Sequence, residues 1–221
     1  MPFDEGLQLF LRTNRTAWQF AWKASDDYLL ARTGMLNGLW SAFEMATQSV
    51  EKLLKSYLLF VDLGLSGSAE AVRRAVSAEA RKLGRTTELG HDVRAALMLV
   101  RDLGLPCSKE LEAWLGQVNG YYGQRYPDEG GPMGLDCRDF KNLDEAVFEI
   151  WDAFKAVYAD YYYTCGIMTP VYGFLVSPSE LSQQYFRLMT DQNESFEVRR
   201  ADIEGGIRAR IAGRLQPRVN G

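Results

Sequence analysis

Residues Leu39 to Leu58 read LWSAFEMATQSVEKLLKSYL, and their spacing decides the fold class. Leu39, Phe43, Ala46, Val50, Leu53 and Tyr57 step by four, three, four, three and four, which places them on one stripe of a long helix. Leu143, Val147, Ile150, Phe154, Val157 and Tyr161 repeat that stepping and predict a second long helix. Shorter helical patterns lie between the two: Val72, Val76 and Leu83; Val93, Leu97 and Val100; Leu111, Leu115, Val118 and Tyr122. Alternation with the period of a strand is nearly absent. The reading is an all-α protein, an antiparallel up-and-down bundle of four or five helices joined by short connections.

Local signals place the helix ends. Asn142 and Glu145 have the spacing of a capping box, and Ser177-Pro178-Ser179-Glu180 offers a proline at a first helical position, where its missing N–H has no partner to lose. Ser68 and Ser108 are candidate N-caps; Gly64, Gly84 and Gly104 fall where helices end on glycine. Tyr126 to Lys141, with two prolines and three glycines, reads as a long loop. A second break, Cys165 to Pro178, divides the chain into residues 1–164, a bundle with an N-terminal extension, and 165–221, a helical appendage with a basic tail.

Composition narrows the class. The 221 residues are 47% hydrophobic and 12% aromatic, too apolar for a disordered chain. No uninterrupted aliphatic or aromatic run outlasts Tyr57 to Val61, far short of the ~20 residues of a membrane span. The N-terminus does not read as a secretory signal. Cys107, Cys137 and Cys165 fit neither a disulfide framework nor a zinc pattern, so a reducing, cytoplasmic setting is expected. Net charge is −4, but unevenly spread. From Arg199 onward six arginines face Asp202 and Glu204, a balance of +4, which leaves −8 on residues 1–198. Such a tail can pair with its own body, with a second subunit or with phosphates.

Chemistry-bearing motifs are few. Phosphate loops, dinucleotide fingerprints and nucleophile elbows are missing. A single histidine, His91, excludes a histidine-rich metal site and confines imidazole acid–base chemistry to one position. Asp144, Glu145, Glu149 and Asp152 have helical spacing, yet no Glu-x-x-His element accompanies them, so no metal and no cofactor is expected. Tyr158, Tyr161, Tyr162 and Tyr163 read as core or dimer contact. Lys52 and Lys55, with Glu51 adjacent, read as the solvated edge of their helix. Arg125, between Tyr121-Tyr122 and Tyr126-Pro127, reads either as a helix terminator or as a phosphate-holding arginine flanked by stacking rings.

The order of three elements resembles the HEPN superfamily, in its branch with a His-Asp and an Arg-Tyr-Pro element. These are the lysine-bearing helix Ala46 to Leu58, Gly90-His91-Asp92-Val93, and Tyr121 to Asp128. The resemblance covers about residues 24–164. It implies a helical bundle that dimerises, with a cleft lined by Lys55, His91, Asp92, Arg125 and Tyr126. In a non-catalytic nucleotide- or RNA-binding member, Lys55 and Arg125 would neutralise phosphate, Tyr126 would stack on a base and Asp92 would orient His91. Such members are often paired with a nucleotidyltransferase. Other members are ribonucleases, among them toxins of toxin–antitoxin pairs and defence proteins, marked by an arginine, four to six residues, then a histidine. Arg85 and His91 meet that bare spacing, and a metal-independent nuclease would use His91 as its base, with Arg85 or Arg125 stabilising the transition state. Gly84 and Gly90 frame the stretch as a turn, however, which favours the non-catalytic reading. Val93 in place of leucine and a helical insertion from Ser68 to Leu83 depart from the pattern. An adaptor bundle binding only protein partners is the alternative from another class, and the acidic body favours it over RNA binding.

Overall fold

The computed structural model describes residues 5–62, 67–85, 91–121 and 137–215, and these are all-helical. Ten helices follow in order: α1 (Glu5–Thr13), α2 (Arg15–Leu36), α3 (Ala42–Val61), α4 (Ala69–Lys82), α5 (Val93–Asp102), α6 (Lys109–Tyr121), α7 (Cys137–Tyr158), α8 (Thr169–Val176), α9 (Glu180–Thr190) and α10 (Glu194–Leu215). Two 3₁₀ turns, Ala159–Tyr161 and Gly166–Met168, connect α7 to α8. No described helix is long and apolar enough to cross a membrane.

Helix α3 is the hub, packed on α2, α5, α6 and α7. The stripe read from the sequence is its core face. Phe43, Ala46, Val50, Leu53 and Tyr57 are buried, whereas Leu39 precedes the helix and is exposed. The broadest contact is with α2, whose buried face is built of small residues: Ala17, Ala21, Ala24 and Ala31. Small side chains let the two axes approach closely, and an added Cβ on Gly34 would sit 2.7 Å from that of Ala42. At this close range the hydroxyls of Ser49 and Ser56 donate to the carbonyls of Ala24 (2.9 Å) and Ala17 (2.8 Å), so α3 runs antiparallel to α2.

The stripe on α7 behaves likewise. Leu143, Val147, Ile150 and Phe154 are buried, with Val157 and Tyr161 at the margin. Phe154 stacks on Trp151 with centroids 4.7 Å apart, and Tyr158 joins them from one turn on. Tyr158 and Tyr162 are core residues, as expected. Gly166 holds φ +52°, a left-handed conformation, with the Trp151 ring filling the place of a side chain.

Several ends differ from expectation. Asn142 lies inside α7, which starts five residues earlier, so it caps nothing, and residues 137–141 are helix rather than loop. Pro178 is not the first helical residue of α9: Ser179 is the N-cap, in a reciprocal box with Ser182, and the proline stands one position before it. Ser68 caps α4 by accepting from the Ala71 N–H, and Ser108 accepts from that of Leu111. Gly84 and Gly104 carry the positive φ of helix-terminating glycines. Gly64 lies outside the described residues.

The C-terminal helices join the same core through Ile167, Met168, Val171, Met189, Phe196, Ile203 and Ile207. A buried polar network fastens them. Tyr28 donates to Asp144 (2.6 Å), and Arg32, fully buried, forms an ion pair with the other oxygen of Asp144. The Arg32 guanidinium also donates to the carbonyls of Leu188 (2.8 Å) and Asp191, which lie where the end of α9 leaves its acceptors without intrahelical donors. Asn193 closes the set by donating to the Tyr28 hydroxyl at 2.9 Å. Burial pushes the Asp144 carboxyl up against the opposing pull of Arg32 and Tyr28. The basic tail is partly spent on its own chain: Arg199 pairs with Asp152, Arg200 with Glu197 and Glu204, and Arg208 with Glu204.

Candidate functional site

Three of the residues singled out from the sequence meet at the start of α5. Asp92 is its N-cap, accepting from the Ala95 N–H through Oδ1 at 2.9 Å. Its other oxygen, Oδ2, is buried without a hydrogen bond and lies 2.8 Å from Nε of Arg85, an ion-pair contact that is not aligned as a hydrogen bond, so a carboxylate with no exposed surface faces a guanidinium that is 36% exposed. His91, just before the cap, extends to α3 and places Nδ1 2.9 Å from Oε1 of Glu51. Lys55, one turn further along α3, donates to that same oxygen at 2.5 Å.

Glu51 is therefore the centre of the arrangement. Its side chain is 4% exposed. Burial alone would raise its pKa, but the hydrogen bond from His91 and the charge of Lys55 outweigh burial and hold it below the ordinary glutamate value. An ionised carboxylate only accepts hydrogen bonds, so Nδ1 of His91 carries the proton in this contact. The imidazole is 40% exposed.

This geometry revises two assignments. Lys55 does not stand on a solvated edge: its side chain is 2% exposed and its charge is matched by Glu51. The carboxylate that touches His91 is Glu51, whereas Asp92 serves the helix end and Arg85. Glu51 was adjacent to the lysines in the sequence but carried no signal of its own, because its contact with His91 spans 40 positions. Lys52 is half-buried and bonded to Asp27 of α2. Arg125 and Tyr126 lie outside the described residues.

Elsewhere, Glu149 accepts from the N–H (2.5 Å) and hydroxyl (2.7 Å) of Ser108 and so fixes the start of α6 against α7. Among the described residues no group of three or more histidine, cysteine or acidic side chains could hold a metal ion. Comparison with known protein families, curated proteins and solved structures finds no match to this chain.

Proposed function

We propose that the chain is a HEPN-like helical protein that binds a phosphate-bearing ligand, a nucleotide or a stretch of RNA, without cleaving it. The observation that carries this reading is the pair Arg85 and His91, each partly exposed and each braced by a buried carboxylate. Nε is the atom of Arg85 paired with Asp92, and a guanidinium that is 36% exposed can grip a phosphate in a bidentate manner. In this reading Lys55 acts indirectly, as the charge that keeps Glu51 ionised behind His91. Arg125 and Tyr126 remain the phosphate- and base-contacting residues that the resemblance implies, and a homodimer and a nucleotidyltransferase partner belong to the same proposal.

The test is a thermal-shift and calorimetric screen of the full chain against nucleotides and short RNAs at low salt, with RNA integrity followed on gels. Ligand at ~100 Kd adds about 2.7 kcal/mol to stability. Arg85→Ala should weaken binding about tenfold or more, the loss of a charge-assisted pair. No binding of any nucleotide or RNA would sink the proposal and leave the adaptor bundle in front.

One contact favours a second reading, a metal-independent endoribonuclease. A carboxylate holding Nδ1 of a partly exposed imidazole is the arrangement of a general base, here directed at a 2′-hydroxyl. RNA cut by the wild type and intact with His91→Ala would move the assignment to that class.

A further inference from the structure

A cleft beside another face of α2, away from its alanine stripe, has a different chemistry. Trp22, Ser25, Asp26 and Leu29 follow one another at i, i+3, i+4 and i+7, so a single face of α2 forms one wall. Tyr185 of α9 and Pro170 and Gly173 of α8 complete a cavity of about 300 Å³, the lower end of the range for small-molecule sites. The two aromatic side chains are half open, Trp22 at 46% and Tyr185 at 45%, and Trp22 is steadied by stacking on Trp18 at 5.5 Å between centroids. We propose that this cleft binds a methylated or alkyl ammonium group, with Trp22 and Tyr185 offering ring faces and Asp26 the counter-charge.

Three observations converge on that ligand class. Among the described residues Asp26 has no ion-pair or hydrogen-bond partner, whereas its neighbour Asp27 is bonded to Lys52. Partial burial, with Asp27 next in weight, pushes the Asp26 carboxyl up, and the charges of Lys23 and Lys52 do not offset this. Asp26 is itself exposed, so its carboxylate is open to a cation entering the cleft. Ser25 is only 3% exposed, yet no group among the described residues engages its hydroxyl, which leaves a polar atom for the ligand. Finally, a Cβ added to Gly173 meets nothing within 4 Å, so the cavity is open on the α8 side. Apolar rings beside a carboxylate reject anions and strongly hydrated cations alike, and select a soft organic cation whose methyl groups pack while its charge meets the ring faces.

The experiment is isothermal titration of the full chain with choline and with 3,3-dimethylbutan-1-ol, its neutral carbon isostere. A short peptide bearing trimethyl-lysine is titrated in parallel. Saturable binding of choline or the peptide, and not of the isostere, is the expected result; whichever cation binds tells whether the ammonium is free or carried on a protein. Trp22→Ala and Tyr185→Ala should each weaken binding roughly 2- to 30-fold. Asp26→Asn should weaken it as well, with the melting temperature unchanged at so exposed a position. Gly173→Leu removes no partner and fills the cleft, so it should abolish binding while the fold is retained. Equal binding of isostere and choline, no binding of either cation, or undiminished affinity in Gly173→Leu would each overturn the proposal.

Discussion

Replacing Glu51 by glutamine would strip the counter-charge from Lys55 while keeping the size of the side chain. The lysine is 2% exposed, so its ammonium cannot recover water without local opening. Breaking a buried pair on one side costs about 3–5 kcal/mol, and the retained amide oxygen of glutamine argues for the lower end, about 3 kcal/mol. With a urea m-value of about 2 kcal/mol/M, the unfolding midpoint should fall by about 1.5 M. Adding Lys55→Met removes the stranded charge, so the double variant should regain part of that loss. The pH dependence has a definite sign. Glu51 is held below the ordinary value of 4.5, so its contribution is complete above that pH and is lost as pH falls through the folded value. The gap between wild type and Glu51→Gln should therefore close as pH falls through the folded value of Glu51. A loss under about 1 kcal/mol, or a double variant no more stable than the single one, would show that Lys55 does not depend on Glu51.

Asp144→Ala should be among the most damaging changes, costing about 3–5 kcal/mol in urea titrations, because it strands the Arg32 guanidinium in a site with no exposed surface. Arg32→Met with Asp144→Leu should cost less than Asp144→Ala alone, since no charge is left behind; the reverse order would contradict the account. Gly166→Ala combines a left-handed backbone with a collision against the Trp151 ring and should lose roughly 2–4 kcal/mol. Gly205→Ala, inside α10 and with open space around it, should move the melting temperature slightly upward.

The helices legible in the sequence were those whose buried face is made of large apolar residues. The stepping of Phe43 to Tyr57 and of Leu143 to Phe154 marks such faces directly. Helix α2 escaped the same reading because its contact face is mostly alanine, with Tyr28 and Arg32 as its bulky buried members. The caps followed a similar rule. Ser68 and Ser108 act within three residues and could be read locally, whereas Asn142 has the right neighbours but sits in a helix whose start is set elsewhere. At the candidate site the sequence singled out Lys55, His91 and Asp92 but not which of them touch. Pairing there is decided by the packing of α5 on α3, which brings Glu51 within 2.9 Å of a ring 40 positions away.

The network around Arg32 also bears on the order in which the molecule can be completed. Its acceptors are contributed by residues 144, 188 and 191, and Asn193 reaches back across 165 positions to Tyr28. During synthesis at about 5–20 residues per second, α2 and α3 emerge many seconds before those acceptors exist. Any early pairing of these helices holds a guanidinium that must stay hydrated, so the surface of α2 around Arg32 cannot close over it. Docking of the end of α9 then displaces water from a charge made long before, and its rate should respond to substitution of Asn193, whose side chain reaches Tyr28, more than to changes within the α2–α3 pair.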